Sequence, residues 1–231
     1  MNMSILNTPL FGLILTILSF EIGLFIFKKL KFPVFNPLLL GIIIAMSVIS
    51  FFNIPLDYFR QGGNYITFLL APATISLALP LYKQLDKLKQ NFIPIIIGSV
   101  VGAVTAIVST ILLGKLLGID KTLLISFMPK SITTPIGIEL SKLLGGVPAI
   151  TIFSIIVTGI SGNVFAPIIC RHFRIKHPVA KGIGIGISSH AVGTSKAIEM
   201  GEIEGAMSAL SIVIAGIITF IIAPVFIFLV G

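Results

Sequence analysis

Tryptophan is absent from this 231-residue chain, and cysteine occurs once. The lone Cys170 excludes an intramolecular disulfide, and no second thiol or metal-ligand spacing surrounds it. Without tryptophan, an aromatic belt at a membrane interface must draw on Tyr58, Tyr65, Tyr82 and the phenylalanines. Charge is scarce as well: 10% of residues are charged, with 8 acids against 16 bases, where soluble domains carry about a quarter. What fills the space is apolar, with 56% hydrophobic residues and a mean hydropathy of +1.13. A soluble fold could not hide that much apolar surface, so lipid is the solvent. The net charge of +8 does not indicate nucleic acid, because the bases sit in short clusters between long apolar runs, as cytoplasmic loops facing anionic lipid do. The N-terminus lacks a basic leader region, and the first apolar run ends in Lys28-Lys29 instead of small residues, so it reads as a retained helix.

A helix needs roughly 20 apolar residues to cross the hydrocarbon core. Runs at about 10–27, 34–52, 66–82, 92–117, 147–170 and 206–230 qualify, the third being short and carrying Pro72 and Pro80. Segments 122–146 and 179–204 are long enough but are interrupted by polar, helix-breaking stretches around Met128-Pro129-Lys130-Ser131 and Ser188-Ser189-His190. Each either crosses as a broken helix or turns back as a re-entrant hairpin, and charge counting separates the two. With Lys28, Lys29 and Lys31 inside, the N-terminus is outside, Asp57 and Arg60 lie in an outer loop, and Lys83, Lys87 and Lys89 are inside. A hairpin at 122–146 then brings Arg171, Arg174, Lys176 and Lys181 inside as well, and the positive-inside bias holds. A full crossing would put that basic loop outside. The expected architecture is all-α and polytopic: about six full spans plus two broken or re-entrant hairpins, in the cell membrane, with the N-terminus outside.

Internal repetition points the same way. A shift of 60 residues aligns Lys121 with Lys181, Thr134 with Thr194, Glu139 with Glu199 and Gly145 with Gly205; after a three-residue gap, Gly159, Ala166 and Pro167 align with Gly216, Ala223 and Pro224. A hairpin plus one span makes an odd number of crossings, so successive copies enter from opposite faces. This is the inverted repeat that many secondary transporters use. Two parallel copies with fully crossing broken helices are the alternative. Within one membrane domain, 1–118 reads as N-terminal scaffold spans and 119–231 as an inverted-repeat transport module.

Non-helical backbone at membrane depth survives only where protein buries it or water lines it. The two breaks are therefore candidate linings. Thr134 suits an N-cap with Pro135 at the first helical position, and Thr194 takes the matching place. Each break would then present a helix start, with free N–H groups and a positive dipole end, near the membrane centre. Lys130, Ser131, Thr133, Ser189 and His190 add donors, Lys130 adds a full charge, and Gly193 lies beside Thr194, so the predicted ligand is a small carboxylate anion. Bland roles compete. Glu139 with Lys142, and Lys196 with Glu199, can pair along one helix face; His190 is equally readable as a neutral buried side chain bonded to backbone. Glu21 reads as snorkelling or packing within the first span, and Asn163 either bonds across helices or reaches the site. The glycines at 182, 184, 186 and 193 suit close helix approach. No phosphate loop, zinc motif, nucleophile elbow or haem pair occurs, so no enzyme, catalytic residue, metal or cofactor is expected.

Three sets of residues stand out: Leu70-Ala71-Pro72-Ala73-Thr74 with Pro80-Leu81-Tyr82-Lys83, Met128 to Pro135, and Ser189-His190-Ala191-Val192-Gly193-Thr194. Together they resemble the LrgB/CidB family across almost the whole chain. The resemblance implies an antiholin-like or holin-like modulator of murein hydrolase activity and autolysis, working beside a small LrgA/CidA membrane partner. Related proteins are implicated in pyruvate uptake, and the plastidial glycolate/glycerate translocator is similar to an LrgA-like and an LrgB-like part fused. Two functions are therefore expected to compete: a secondary carrier for small monocarboxylates such as pyruvate, glycolate or glycerate, and a holin/antiholin-like regulator without saturable transport. Matched caps on broken helices favour the carrier. A homo-oligomer, a dimer, is also expected.

Overall fold

The computed structural model describes residues 6–30, 35, 37–69, 72, 75, 82 and 85–230. Every regular element among them is helical: α1 (Pro9–Leu30), α2 (Pro37–Phe51), α3 (Leu56–Phe68), α4 (Leu85–Gln90), α5 (Phe92–Leu116), α6 (Lys121–Phe127), α7 (Thr134–Leu144), α8 (Pro148–His172), α9 (Pro178–Met200) and α10 (Glu202–Ile222), with a 3-10 turn over Ala223–Val230. Helices at Pro9–Leu30, Phe92–Leu116, Pro148–His172 and Glu202–Val230 are long and apolar enough to span a bilayer. The run predicted at 34–52 forms a helix of only 15 residues, and the run at 66–82 falls largely outside the described residues. The expected outer loop is instead helix α3, which carries Asp57 and Arg60 in an i,i+3 pair.

The chain divides into two compact units, Met1–Ala73 and Thr74–Gly231. In the first, α1 packs on α2 and α3 through glycines. A Cβ on Gly12 would strike the Phe59 carbonyl, and one on Gly62 would strike that of Pro9. Such close approach is what small residues give to helices that gain no hydrophobic drive from association in lipid.

In the second unit α5 runs between two sets of partners. Its first half, with Ile95, clusters with Ile183, Ile187, Met207 and Leu210. Its second half, with Ile107 and Ile111, clusters with Leu124, Met128, Ile132 and Leu140. This unit therefore holds α5 together with 119–231.

Both interrupted segments double back. Asp120 starts α6 by accepting from the amides of Thr122 and Leu123 at 2.9 and 3.1 Å, and the helix ends at Met128-Pro129. The chain turns and then runs as α7 to Gly145, whose φ of 83° makes the left-handed stop that glycine adopts without strain. The Val147 amide donates to Ser126 Oγ at 2.7 Å, twenty-one residues back. A continuous helix would separate these groups by about 30 Å, so α7 returns to the level of α6. Thr151 Oγ1, fully buried on α8, lies 2.9 Å from the Ser126 carbonyl and 2.7 Å from Ser141 Oγ, clasping both arms of the turn.

Helix α9 is broken at His190, where φ is 42° and ψ −142°. Its first arm, 178–189, lies along α10: Gly182 meets the Glu204 carbonyl and Gly186 that of Ser208. The second arm, 191–200, runs back along the same helix, with Thr194 Oγ1 2.7 Å from Ser208 Oγ and Gly205 against Ile198. Gly182, Gly186 and Gly193 thus serve close approach as expected. Gly184 does not, since a Cβ there would meet nothing within 4 Å.

Candidate functional site

The two breaks meet at the middle of α8. A Cβ on Gly137, just past the first break, would lie 2.6 Å from Ile155 Cδ1. From the second break, His190 Nε2 bonds the Ile155 carbonyl at 2.9 Å, Asn163 Nδ2 donates to the Val192 carbonyl at 3.0 Å, and Gly162 lies against Ser189. The last turn of α6, at Ser126, sits by Val147 and Thr151, at the start of α8. The open end of the second hairpin is by Lys181, which shares a cavity wall with Ile169 and Cys170 at the end of α8.

That cavity has a volume of about 850 Å³ and draws its wall from α5, α8, the first arm of α9 and the first break. Lys130 and Ser131 reach it from the first break, Ser188 and Ser189 from the second, and Thr158 and Ser161 from α8. Its lining holds two cations, Lys130 and Lys181, and no carboxylate. Lys130 has no acid within salt-bridge distance among the described residues. A cation at membrane depth is costly, and here it stands in a largely apolar hollow that also presents the hydroxyls of Ser131, Thr158, Ser161, Ser188 and Ser189.

The predicted site residues separate into two groups. Lys130, Ser131 and Ser189 line the cavity. Thr133, Thr134, His190, Gly193 and Thr194 do not. The start of α7 falls one residue earlier than expected: Thr133, not Thr134, is the capping residue, and its side chain makes no cap bond. Thr133 is 7% exposed and its hydroxyl is buried and unpartnered, a state that costs about 1–3 kcal/mol when nothing answers it. Thr194 is not a cap at all. Its hydroxyl donates to the His190 carbonyl at 2.9 Å and reaches Ser208, so it fastens the second hairpin to α10. His190 is buried and bonded to backbone, one of its two expected roles. The pairs Lys142–Glu139 at 2.8 Å and Lys196–Glu199 at 2.7 Å form as anticipated.

Three features escaped the sequence reading. Thr158 and Ser161 line the cavity from inside a span, where hydroxyls at these spacings carry no distinctive signal. Lys181 pairs with Glu204 at 3.5 Å, across 23 residues that only the doubled-back helix brings together. Thr151 and Ser208 extend the 57-residue part of the repeat, a match of different residue types. No group of three or more His, Cys, Asp or Glu side chains able to hold a metal occurs among the described residues.

Long apolar helices, two doubled-back segments and a cationic hollow where the breaks meet define a polytopic α-helical membrane protein. Comparison with known proteins then supplies the family: residues 16–229 match the LrgB-like family, and the chain belongs to it. Over 225 residues, 97% of this chain and 98% of the relative, it is 36% identical to an antiholin-like protein LrgB of Bacillus mycoides (strain KBAB4). It is 35% identical, with the same coverage, to proteins of that name from Bacillus cereus (strain B4264) and Bacillus anthracis (strain CDC 684 / NRRL 3495). No solved structure matches the chain.

Proposed function

We propose that this LrgB-like protein carries a small carboxylate, of the pyruvate, glycolate or glycerate class, through the membrane between its two helix breaks. The observation that carries this reading is the cavity at the middle of α8, lined by Lys130 and hydroxyls from both breaks and free of acids. The opposed approach of the two hairpins along α8, and the repeat that aligns them, support an inverted-repeat carrier with the N-terminus outside and the basic 171–181 segment inside. Residues 119–231 would form its moving module. A dimer, and a small LrgA-type membrane partner, belong to the same proposal.

A second reading is favoured by a specific observation. The relatives are named antiholin-like, and that name supports a regulator of holin-type lysis more directly than it supports a carrier. The readings part in proteoliposomes. A carrier gives saturable uptake of labelled pyruvate or glycolate that falls about 10- to 100-fold in Lys130→Met, the range expected for a lost charge-assisted hydrogen bond of about 1.5–3 kcal/mol. Non-saturable leakage of unrelated solutes, or no carboxylate flux with and without the partner, would leave the antiholin-like reading standing and remove the first.

A further inference from the structure

We propose that Lys181 is a second anion-receiving position in the cavity, with Glu204 as the resident counter-ion that an incoming carboxylate displaces. This rests on the carrier reading and adds to it a place the anion occupies before reaching Lys130.

Four observations converge on it. First, Lys181 and Lys130 line one cavity from different elements, the first arm of α9 and the first break. The cavity wall on α8 runs from Thr158 to Cys170, twelve residues or about 18 Å along a helix, which is longer than one small carboxylate. Second, the Lys181–Glu204 pair is loose. Its 3.5 Å separation equals that of the exposed Arg60–Asp57 pair and exceeds the 2.8 and 2.7 Å of Lys142–Glu139 and Lys196–Glu199, where charge-assisted bonds ordinarily close to about 2.7–2.9 Å. Third, the pair is not needed as a fastener. Gly182 and Gly186 already seat the first arm of α9 against the carbonyls of Glu204 and Ser208. Fourth, the exposure is asymmetric: the Lys181 side chain is 24% exposed and that of Glu204 11%. Lys181 is thus the more open partner and the one on the cavity wall, while Glu204 sits in the first turn of α10, where the helix dipole favours its charge. An anion arriving in the hollow finds a cation whose present partner holds it at long range.

The test uses the full chain in nanodiscs, with two readouts. The first is pyruvate binding by calorimetry. Glu204→Gln should tighten it about 3- to 10-fold, because Lys181 loses its competitor. Lys181→Gln should weaken it by a similar factor, Lys181→Arg should restore it, and the double variant should match Lys181→Gln. The second needs no substrate. Cys170 shares the wall with Lys181, so the ratio of its modification rate by an anionic methanethiosulfonate to that by a neutral one, which cancels changes in thiolate fraction, should rise in Glu204→Gln and fall in Lys181→Gln. Weaker or unchanged binding in a folded Glu204→Gln, together with reagent rates blind to charge, overturns the proposal. If binding still falls in Lys130→Met, the carrier reading survives that result. Absence of pyruvate binding in every variant, with the Cys170 rates still following charge, instead removes the carrier reading and keeps Lys181 as an anion contact.

Discussion

His190 sits where an L-residue is strained, at φ 42° and ψ −142° in the middle of a broken helix. Backbone of this kind costs about 1–3 kcal/mol and persists here while the imidazole bonds the Ile155 carbonyl at 2.9 Å. Two substitutions separate the terms. His190→Ala and His190→Gly both lose the ring and its bond, worth about 0.6 and at most about 1.7 kcal/mol inside a membrane. Both also leave the same hollow beside Gly159. They differ in the backbone. Glycine relieves the strain, worth about 1–3 kcal/mol, and gives back roughly 0.4–1 kcal/mol through its freer unfolded chain. The net expectation is that His190→Gly is the more stable by about 1 kcal/mol, against the helix-propensity order in which alanine leads glycine by about the same amount. For a chain of this size that is a difference of about 2–4 °C in melting temperature. Circular dichroism at 222 nm on purified protein in detergent reads it directly. An alanine variant melting at or above the glycine variant would refute the argument, because it would mean the turn at residue 190 is not where the helix reverses.

Two further outcomes follow from the clasps and from the direction of the hairpins. Thr151→Val keeps the shape of the residue that ties Ser126 to Ser141, and Ser208→Ala unties Thr194; each should destabilise by about 0.6–1.7 kcal/mol, measured by the same melts, with additive losses in the pair because the sites lie on different hairpins. In a Cys170→Ser background, single cysteines placed at Asp120 and Gly146 should both label from the outer face and one at Lys176 from the inner face; opposite labelling of Asp120 and Gly146 would replace the re-entrant hairpin with a crossing.

How much of this could be read beforehand depended on what each feature needs. The breaks were legible because Met128-Pro129 and Thr134-Pro135 are local chemistry: proline ends helices and starts them wherever it stands. The i,i+3 pairs were legible for the same reason. Thr194 was misplaced because its repeat partner Thr134 stands beside a proline and it does not. Without the proline nothing fixes the helix start, and the reversal falls four residues earlier, at His190, whose unusual dihedrals no residue type announces. Lys181 with Glu204, and Thr151 with Ser126 and Ser141, were illegible because each joins groups that only the doubled-back chain brings together. The cavity wall contributed by α5 was out of reach too, since an apolar span shows nothing of which face a neighbour will use.

The Thr151 clasp also constrains the order in which the chain can be built. Helix α6 has seven residues, about 10 Å of rise against a hydrocarbon core of about 30 Å, and it is followed by backbone that hydrocarbon will not accept bare. As synthesis proceeds, residues 121–146 therefore have no membrane-stable form of their own. On the re-entrant reading proposed above, they would wait at the interface until α8 emerges and offers the Thr151 hydroxyl. The second hairpin would wait in the same way for α10 and Ser208. Each half would then be committed to the bilayer by the helix that follows it, and assembly would run backwards along each repeat, from the later element to the earlier.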